Sequence, residues 1–432
     1  MSTSILKELN FFKSHPLSMR MLLLTNLIYG MVVPIIELFI GAYIMRNSTD
    51  ISLVVIFQLA VYTGIPLTFM INGFLLNYFP ISRLYSLGML LSGVSMTAMM
   101  TLDKLSTIGV FLAGLIMGLS YGFFWANRDF LALNTTRDGN RNYYYGIETF
   151  LYTITGIGIP LLAGGFIAAT DKNQWFSGNV NMAYYILTAG VFILSVFASL
   201  LVHRGQFQNP KKAPFLFFNF DRLWNKMLRL AALKGVAQGY IVTAPTMLVM
   251  THVGKEGSLG LLQGIAAALS AVLLYALGRL TGPKHRLLIY LFGCSLFVLG
   301  ALSNAMLFSA VGVILFILCL VFARPLLDIA YFPIQLKVID IVAAKEKRNE
   351  FTYIFNHELG LYLGRLFGCG LFIVLARYVS EMVALRYALL VIALVHFMGY
   401  FMAKSITRDF IPDEPVIAES TPREQLPGVP LI

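Results

Sequence analysis

The chain has 432 residues, 58% of them hydrophobic and 12% charged, with a formal net charge of +11 and a mean hydropathy of +0.76. A soluble domain carries roughly a quarter charged residues, so water is not the main solvent of this surface. The basic excess does not imply nucleic acid, because membrane proteins gather Lys and Arg in cytoplasmic loops and the sequence holds neither zinc-finger spacing nor an isolated basic domain.

Met1 to Arg20 is polar and lacks a cleavable signal pattern. A spanning helix needs about 20 mostly apolar residues. Twelve such runs follow, near 21–45, 52–79, 84–102, 107–133, 143–169, 182–202, 226–251, 257–279, 287–304, 308–336, 350–376 and 384–404. They predict an all-α membrane protein of twelve transmembrane helices in two six-helix halves. The expected divisions are an N-terminal segment 1–20, a first half 21–203, a linker 204–225, a second half 226–404 and a disordered tail 405–432. Phe215 to Leu230 is amphipathic and is expected to lie at the membrane interface before the seventh span. Cys294, Cys319 and Cys369 all sit in apolar runs, which argues against a disulfide framework.

Basic residues orient the chain. With both ends in the cytoplasm, cytoplasmic segments hold about 20 Lys and Arg and external loops about 6, the bias of the positive-inside rule. The cytoplasmic set includes Arg137, Arg141, Lys211, Lys212, Lys284, Arg286, Lys345, Lys347 and Arg348. Short loops suggest a bacterial inner membrane.

The halves carry a faint repeat. Tyr29 and Pro34 in the first span match Tyr240 and Pro245 in the seventh. Glu148, Leu151, Tyr152 and Gly158 in the fifth match Glu358, Leu361, Tyr362 and Gly368 in the eleventh. Repeated halves are an architecture of secondary transporters.

Twelve spans in two halves joined by a basic linker resemble the major facilitator superfamily over roughly residues 20 to 404. That family's loop between helices 2 and 3 reads Gly-x-Leu-x-Asp-Arg-x-Gly-Arg-Arg. Gly73, Leu75 and Arg83 fit it, whereas Asn77 replaces the acid and Pro80 the second glycine. The matching loop of the second half keeps Gly282, Lys284 and Arg286 loosely. Gly156 to Gly165 is similar to the Gly-Pro-x-x-Gly-Gly element of the family's exporters, with Pro160 one residue too far from the glycine pair. Small residues for close helix packing account for it equally well.

A charge at mid-bilayer costs about 2.5–3.5 kcal/mol on insertion scales, so embedded charges face protein or water. Six cations (Arg128, Lys234, Arg279, Arg324, Lys337, Arg365) and six acids (Glu37, Asp129, Glu148, Asp328, Asp340, Glu358) lie in or near the spans. Spans 1, 4, 5, 7, 10 and 11 carry nearly all of them. The resemblance implies that helices 1, 4, 7 and 10 line a central cavity and that 2, 5, 8 and 11 meet between halves. Asn26, Tyr29 and Glu37 share one stripe of span 1. Lys234 and Gln238, and Arg324 and Asp328, are i, i+4 pairs, the latter spaced to join along one face. With Arg365 these form the candidate solute and coupling set. Arg83, Arg128, Asp129, Glu148, Arg286 and Glu358 lie nearer the cytoplasm and form the candidate gate. His396 in span 12 fits neither group.

The resemblance implies a secondary active transporter working by alternating access on a small polar solute, anionic or zwitterionic given three cations in the second half. Proton coupling through the embedded acids and export are further expectations. No Walker loop, His-Glu-x-x-His or clustered nucleophile is present, so neither an ATP motor nor an enzyme is expected. No cofactor or metal is called for. The expected partners are the solute, protons and membrane lipids, and the chain is expected to act as a monomer. The alternatives are a uniporter or symporter for a sugar or other solute, and a sensor or assembly factor on the same scaffold.

Overall fold

The computed structural model describes residues 12–136, 138–209, 216–217, 219–280, 285–348 and 350–409. Arg137, Lys211, Lys212 and Lys284 lie outside the described residues, as do the side chains of Arg141 and Arg279 and the tail beyond Asp409.

Apolar solvent offers backbone groups no partner, so each span must close its own hydrogen bonds. The described regular structure is accordingly helical. The helices are α1 (Leu17–Asn47), α2 (Ser52–Leu75), α3 (Ile81–Met100), α4 (Thr107–Thr135), α5 (Asp138–Lys172) and α6 (Asn181–Val202) in the first half. In the second half α7 is broken into Arg222–Ile241 and Ala244–His252, followed by α8 (Glu256–Leu280), α9 (Arg286–Leu307), α10 (Ala310–Glu346), α11 (Glu350–Tyr378) and α12 (Glu381–Arg408). Ten are long and apolar enough to cross a membrane, and α3 and the broken α7 complete an arrangement consistent with twelve crossings.

Packing repeats between the halves. α1 packs on α5 and α6 as α7 packs on α11 and α12, and α3 packs on α4 and α6 as α9 packs on α10 and α12. The halves meet along α2 with α11 and α5 with α8. Small residues permit the close approaches. A Cβ on Gly364 of α11 would stand 1.9 Å from the Ala232 carbonyl oxygen, and one on Gly260 of α8 would stand 2.3 Å from that of Pro160 on α5. Of the exporter-like glycines, Gly164 serves this packing, whereas Gly156, Gly158 and Gly165 face open space.

Two sequence expectations change. Phe215 lies outside the described residues, but the segment from Arg222 onward is no interfacial helix. It is the first piece of α7, and Trp224 is fully buried with its indole N–H donating to Asn356 at 3.2 Å. The seventh span is also not continuous. Pro245 cannot donate to the Ile241 carbonyl, and the helix breaks at Val242 and Thr243. Pro34 causes no such break in α1. The three cysteines are free thiols.

Candidate functional site

The end of the bundle where Leu17 and Arg408 lie is called the terminal end, and the opposite end the distal end. Between them, nearer the distal end, Glu37 of α1 and Arg324 of α10 line one cavity of about 290 Å³. Pro34, Gly156 and Pro160 form one side of it, and Pro245, Gln263 and Ser270 the other. Both charged side chains are exposed to this space. Arg324 donates to the Ile241 carbonyl at 2.8 Å, the acceptor freed by Pro245. The Val321 carbonyl, freed in the same way by Pro325, accepts from Ser270 at 3.2 Å. Proline thus supplies unpaired carbonyls at the cavity wall, and polar side chains reach in to meet them. Glu37 makes no hydrogen bond or ion pair with another described residue, although it feels the Arg324 charge.

Arg324 and Asp328 do not pair along α10 as their spacing predicts. Asp328 instead joins Lys234 of α7 at 2.9 Å, and the ammonium sits 4.0 Å from the ring centres of both Tyr331 and Phe332. An ammonium between two aromatic faces is further stabilised by their quadrupoles. Along α11 the predicted pair does form, Arg365 lying 3.2 Å from Glu358. Arg365 also donates to Gln238 at 3.0 Å and stacks 4.7 Å from the Tyr62 ring centre. Two of the three expected solute cations therefore already have carboxylate partners.

Asn26 and Tyr29 do not share the cavity with Glu37. Asn26 is buried inside the first half, donating to Glu148 at 2.6 Å and Tyr144 at 3.1 Å and accepting from Tyr85. Tyr29 contacts Ser120 at 3.3 Å and packs on Phe124. The common stripe is correct as helical geometry, but α3, α4 and α5 cover its lower part.

The candidate gate residues are not joined across the halves. Glu148 is 3% exposed and pairs with Arg128, which also holds Asp129 at 2.6 Å. Among the described residues Glu358 pairs within α11. Arg83 and Arg286 form no ion pair with another described residue. What bridges the halves near the terminal end is apolar: Phe69 of α2, Ala126 of α4 and Phe355 of α11 are buried together, with Leu216 of the linker packed against them.

Sequence reasoning missed the polar bridges at the distal end. Arg46 of α1 holds Glu256 of α8 with two hydrogen bonds, 2.6 and 2.8 Å, and Tyr184 of α6 donates to the same carboxylate at 2.7 Å. Lys255 reaches Asp171 at 2.6 Å. Arg377 meets Asp50 at 3.5 Å and Ser52 at 3.2 Å, and Glu381 accepts from the Ile51 N–H at 3.2 Å. All six contacts join one half to the other.

The Major Facilitator Superfamily profile matches residues 21–369. The uncharacterized protein YqgE of Bacillus subtilis (strain 168) is 22% identical over 386 residues, covering 88% of this chain and 87% of that protein. A bacterial homologue of the iron transporter ferroportin in its inward-facing state superposes with a TM-score of 0.66 at 15% identity, covering 90% of this chain and 98% of that one. Its outward-facing state gives 0.58 at 16% identity, with 90% and 99% covered. The peptide transporter POT in complex with sulfate gives 0.66 at 13% identity, with 91% and 96% covered. The repeated helix packing, the cavity between halves and a profile that spans most of the sequence agree, and the chain belongs to the Major Facilitator Superfamily.

Proposed function

We propose that this protein is a secondary active transporter that carries a small zwitterionic solute across a bacterial inner membrane by alternating access, coupled to protons, with both termini cytoplasmic. One observation carries the solute class. Glu37 and Arg324 face a common cavity from opposite halves without touching each other. A solute with a cationic and an anionic group would meet both and draw the halves together, which a simple anion would not. The pairing of Lys234 with Asp328 and of Arg365 with Glu358 removes the reason to expect a purely anionic cargo.

Polar bridges at the distal end and the better superposition on an inward-facing than on an outward-facing structure support a distal side held shut by charge, with the apolar Phe69–Ala126–Phe355 contact as the thinner closure on the terminal side. Purified protein screened by thermal shift against amino acids, betaines, carboxylates, sugars and nucleosides tests the reading, because a binder stabilises the folded form. Zwitterions are expected to raise the melting temperature, and the same compounds to exchange in proteoliposome counterflow. Stabilisation and counterflow by sugars alone would replace this reading with that of a sugar carrier.

A further inference from the structure

A second cavity of about 240 Å³ lies within the second half, beside the solute cavity and sharing Arg324 and Val242 with it. His396 of α12, with no place in the solute site, lines it. Its Nδ1 lies 3.0 Å from the Leu233 carbonyl oxygen. A carbonyl only accepts, so Nδ1 carries the hydrogen and Nε2 keeps its lone pair. His396 is 2% exposed and Tyr290 of α9 is 1% exposed, yet neither Nε2 nor the Tyr290 hydroxyl finds a hydrogen-bond partner among the described residues. Unpartnered buried polar atoms cost about 1–3 kcal/mol each, and here two belong to residues that line one cavity, their rings 6.3 Å apart centre to centre. The other polar groups facing this cavity are Lys234 and Gln238 of α7 and Arg324, Asp328 and Tyr331 of α10. Lys234 occupies one oxygen of Asp328, whose side chain remains 47% exposed. The carboxylate can therefore take a second donor.

We propose that this cavity is the proton-binding site of the transporter, with His396 Nε2 as the base, Asp328 as counter-ion and the Tyr290 hydroxyl as a hydrogen-bonding neighbour. A proton delivered by water converts His396 to the imidazolium, both of whose nitrogens donate. The new cation competes with Lys234 for Asp328. Arg324 borders both cavities, so the change in charge reaches the solute side. The proposal rests on the transport reading only in calling this proton the coupling ion.

The test uses full-length protein in nanodiscs with ¹⁵N-labelled imidazoles, the His396 signal being assigned by its loss in His396→Gln. The expected result is the Nδ1–H tautomer at neutral pH and reversible protonation on acidification while the fold persists. Asp328→Asn is expected to move the midpoint to lower pH by removing the anion, and Lys234→Gln to higher pH by removing the cation. A His396 ring that stays neutral until the fold is lost, or a midpoint that ignores both substitutions, overturns the site. For coupling, His396→Gln is expected to retain counterflow and lose accumulation driven by a pH gradient; unchanged accumulation overturns the role. A protein that binds the proton here yet carries no solute leaves the site standing and removes the transport reading.

Discussion

Arg46 and Glu256 stand 210 residues apart in the chain and clasp each other across the two halves at the distal end. Arg46 lies in the last turn of α1 and Glu256 is the first residue of α8, so the clasp ties the distal end of one span to that of another in the opposite half. Opposite charges at these two helix ends form a latch. Glu256 is 1% exposed on its side chain and Arg46 is 21% exposed.

Glu256→Gln is expected to loosen the distal closure. Removing one member of a buried, hydrogen-bonded charge pair costs about 2–5 kcal/mol, and partial exposure of Arg46 places this pair toward the lower value. A shift of about 1.4 kcal/mol changes a two-state population tenfold. Spin labels at the exposed positions Trp175 and Tyr378, one on each half, would report it as a longer distance component. An unchanged distance distribution would show that the remaining bridges hold the closure without this one.

Glu148→Gln and Glu358→Gln are expected to behave differently despite their equivalent positions. Glu148 accepts from Arg128, Asn26 and Tyr144 in the interior of the first half. Neutralising it leaves Arg128, among the described residues, with the exposed Asp129 as its anion, a loss of about 3 kcal/mol, read as a lower unfolding midpoint in detergent. Glu358→Gln leaves Arg365 held by Gln238 and stacked on Tyr62, so its midpoint is expected to fall less than that of Glu148→Gln. Equal destabilisation of both variants would contradict this assignment.

Much of the fold is legible because a bilayer tolerates few solutions. The long apolar runs, the longest polar connection and the repeat offsets are all direct consequences of solvent and symmetry. The site is less legible because side-chain partners are chosen across helices. Arg324 and Asp328 had suitable spacing, but Lys234 on a neighbouring helix offered Asp328 an ammonium, and Pro245 offered Arg324 a free carbonyl. Neither rival is visible along α10 alone. Glu37 was readable as the lone acid of its span. The Arg46–Glu256 latch was missed because both residues lie at helix ends, where the charges face loops along the sequence and meet only across the two halves.

The start of α7 is expected to be acid-sensitive. Asp221 caps it, accepting from the Leu223 N–H at 2.8 Å, and takes the Lys345 ammonium at 2.5 Å. Those bonds, Lys345 first, hold its carboxyl below the ordinary value of 3.8. The anion therefore stabilises the fold above the ordinary carboxylate value, and that contribution is lost as pH falls through the lowered one. Asn caps a helix about as well as Asp, so Asp221→Asn is expected to lower stability only slightly at neutral pH, through loss of the exposed Lys345 pair, and its difference from the parent should vanish below about pH 4. A difference that persists unchanged at lower pH would mean that shape, not charge, makes the cap.

Glu37→Gln tests the solute site directly. Glu37 is exposed to the cavity and unpaired among the described residues, so its carboxylate is not holding helices together. The substitution keeps the size of the side chain and removes the charge, and folding stability is expected to stay within about 0.5 kcal/mol. Arg324 would still hold the anionic end of a zwitterion, but its cationic end would lose its counter-charge. A charge-assisted contact is worth about 1.5–3 kcal/mol, so binding should weaken roughly ten- to hundred-fold, with counterflow falling in parallel. Anions lacking a cationic group should be spared, because they would engage Arg324 alone. If Gln at this position left zwitterion affinity intact but abolished gradient-driven accumulation, Glu37 would be a proton carrier, and the coupling site would belong here rather than at His396. If both affinity and accumulation survived, the cavity between Glu37 and Arg324 would not be where solute binds.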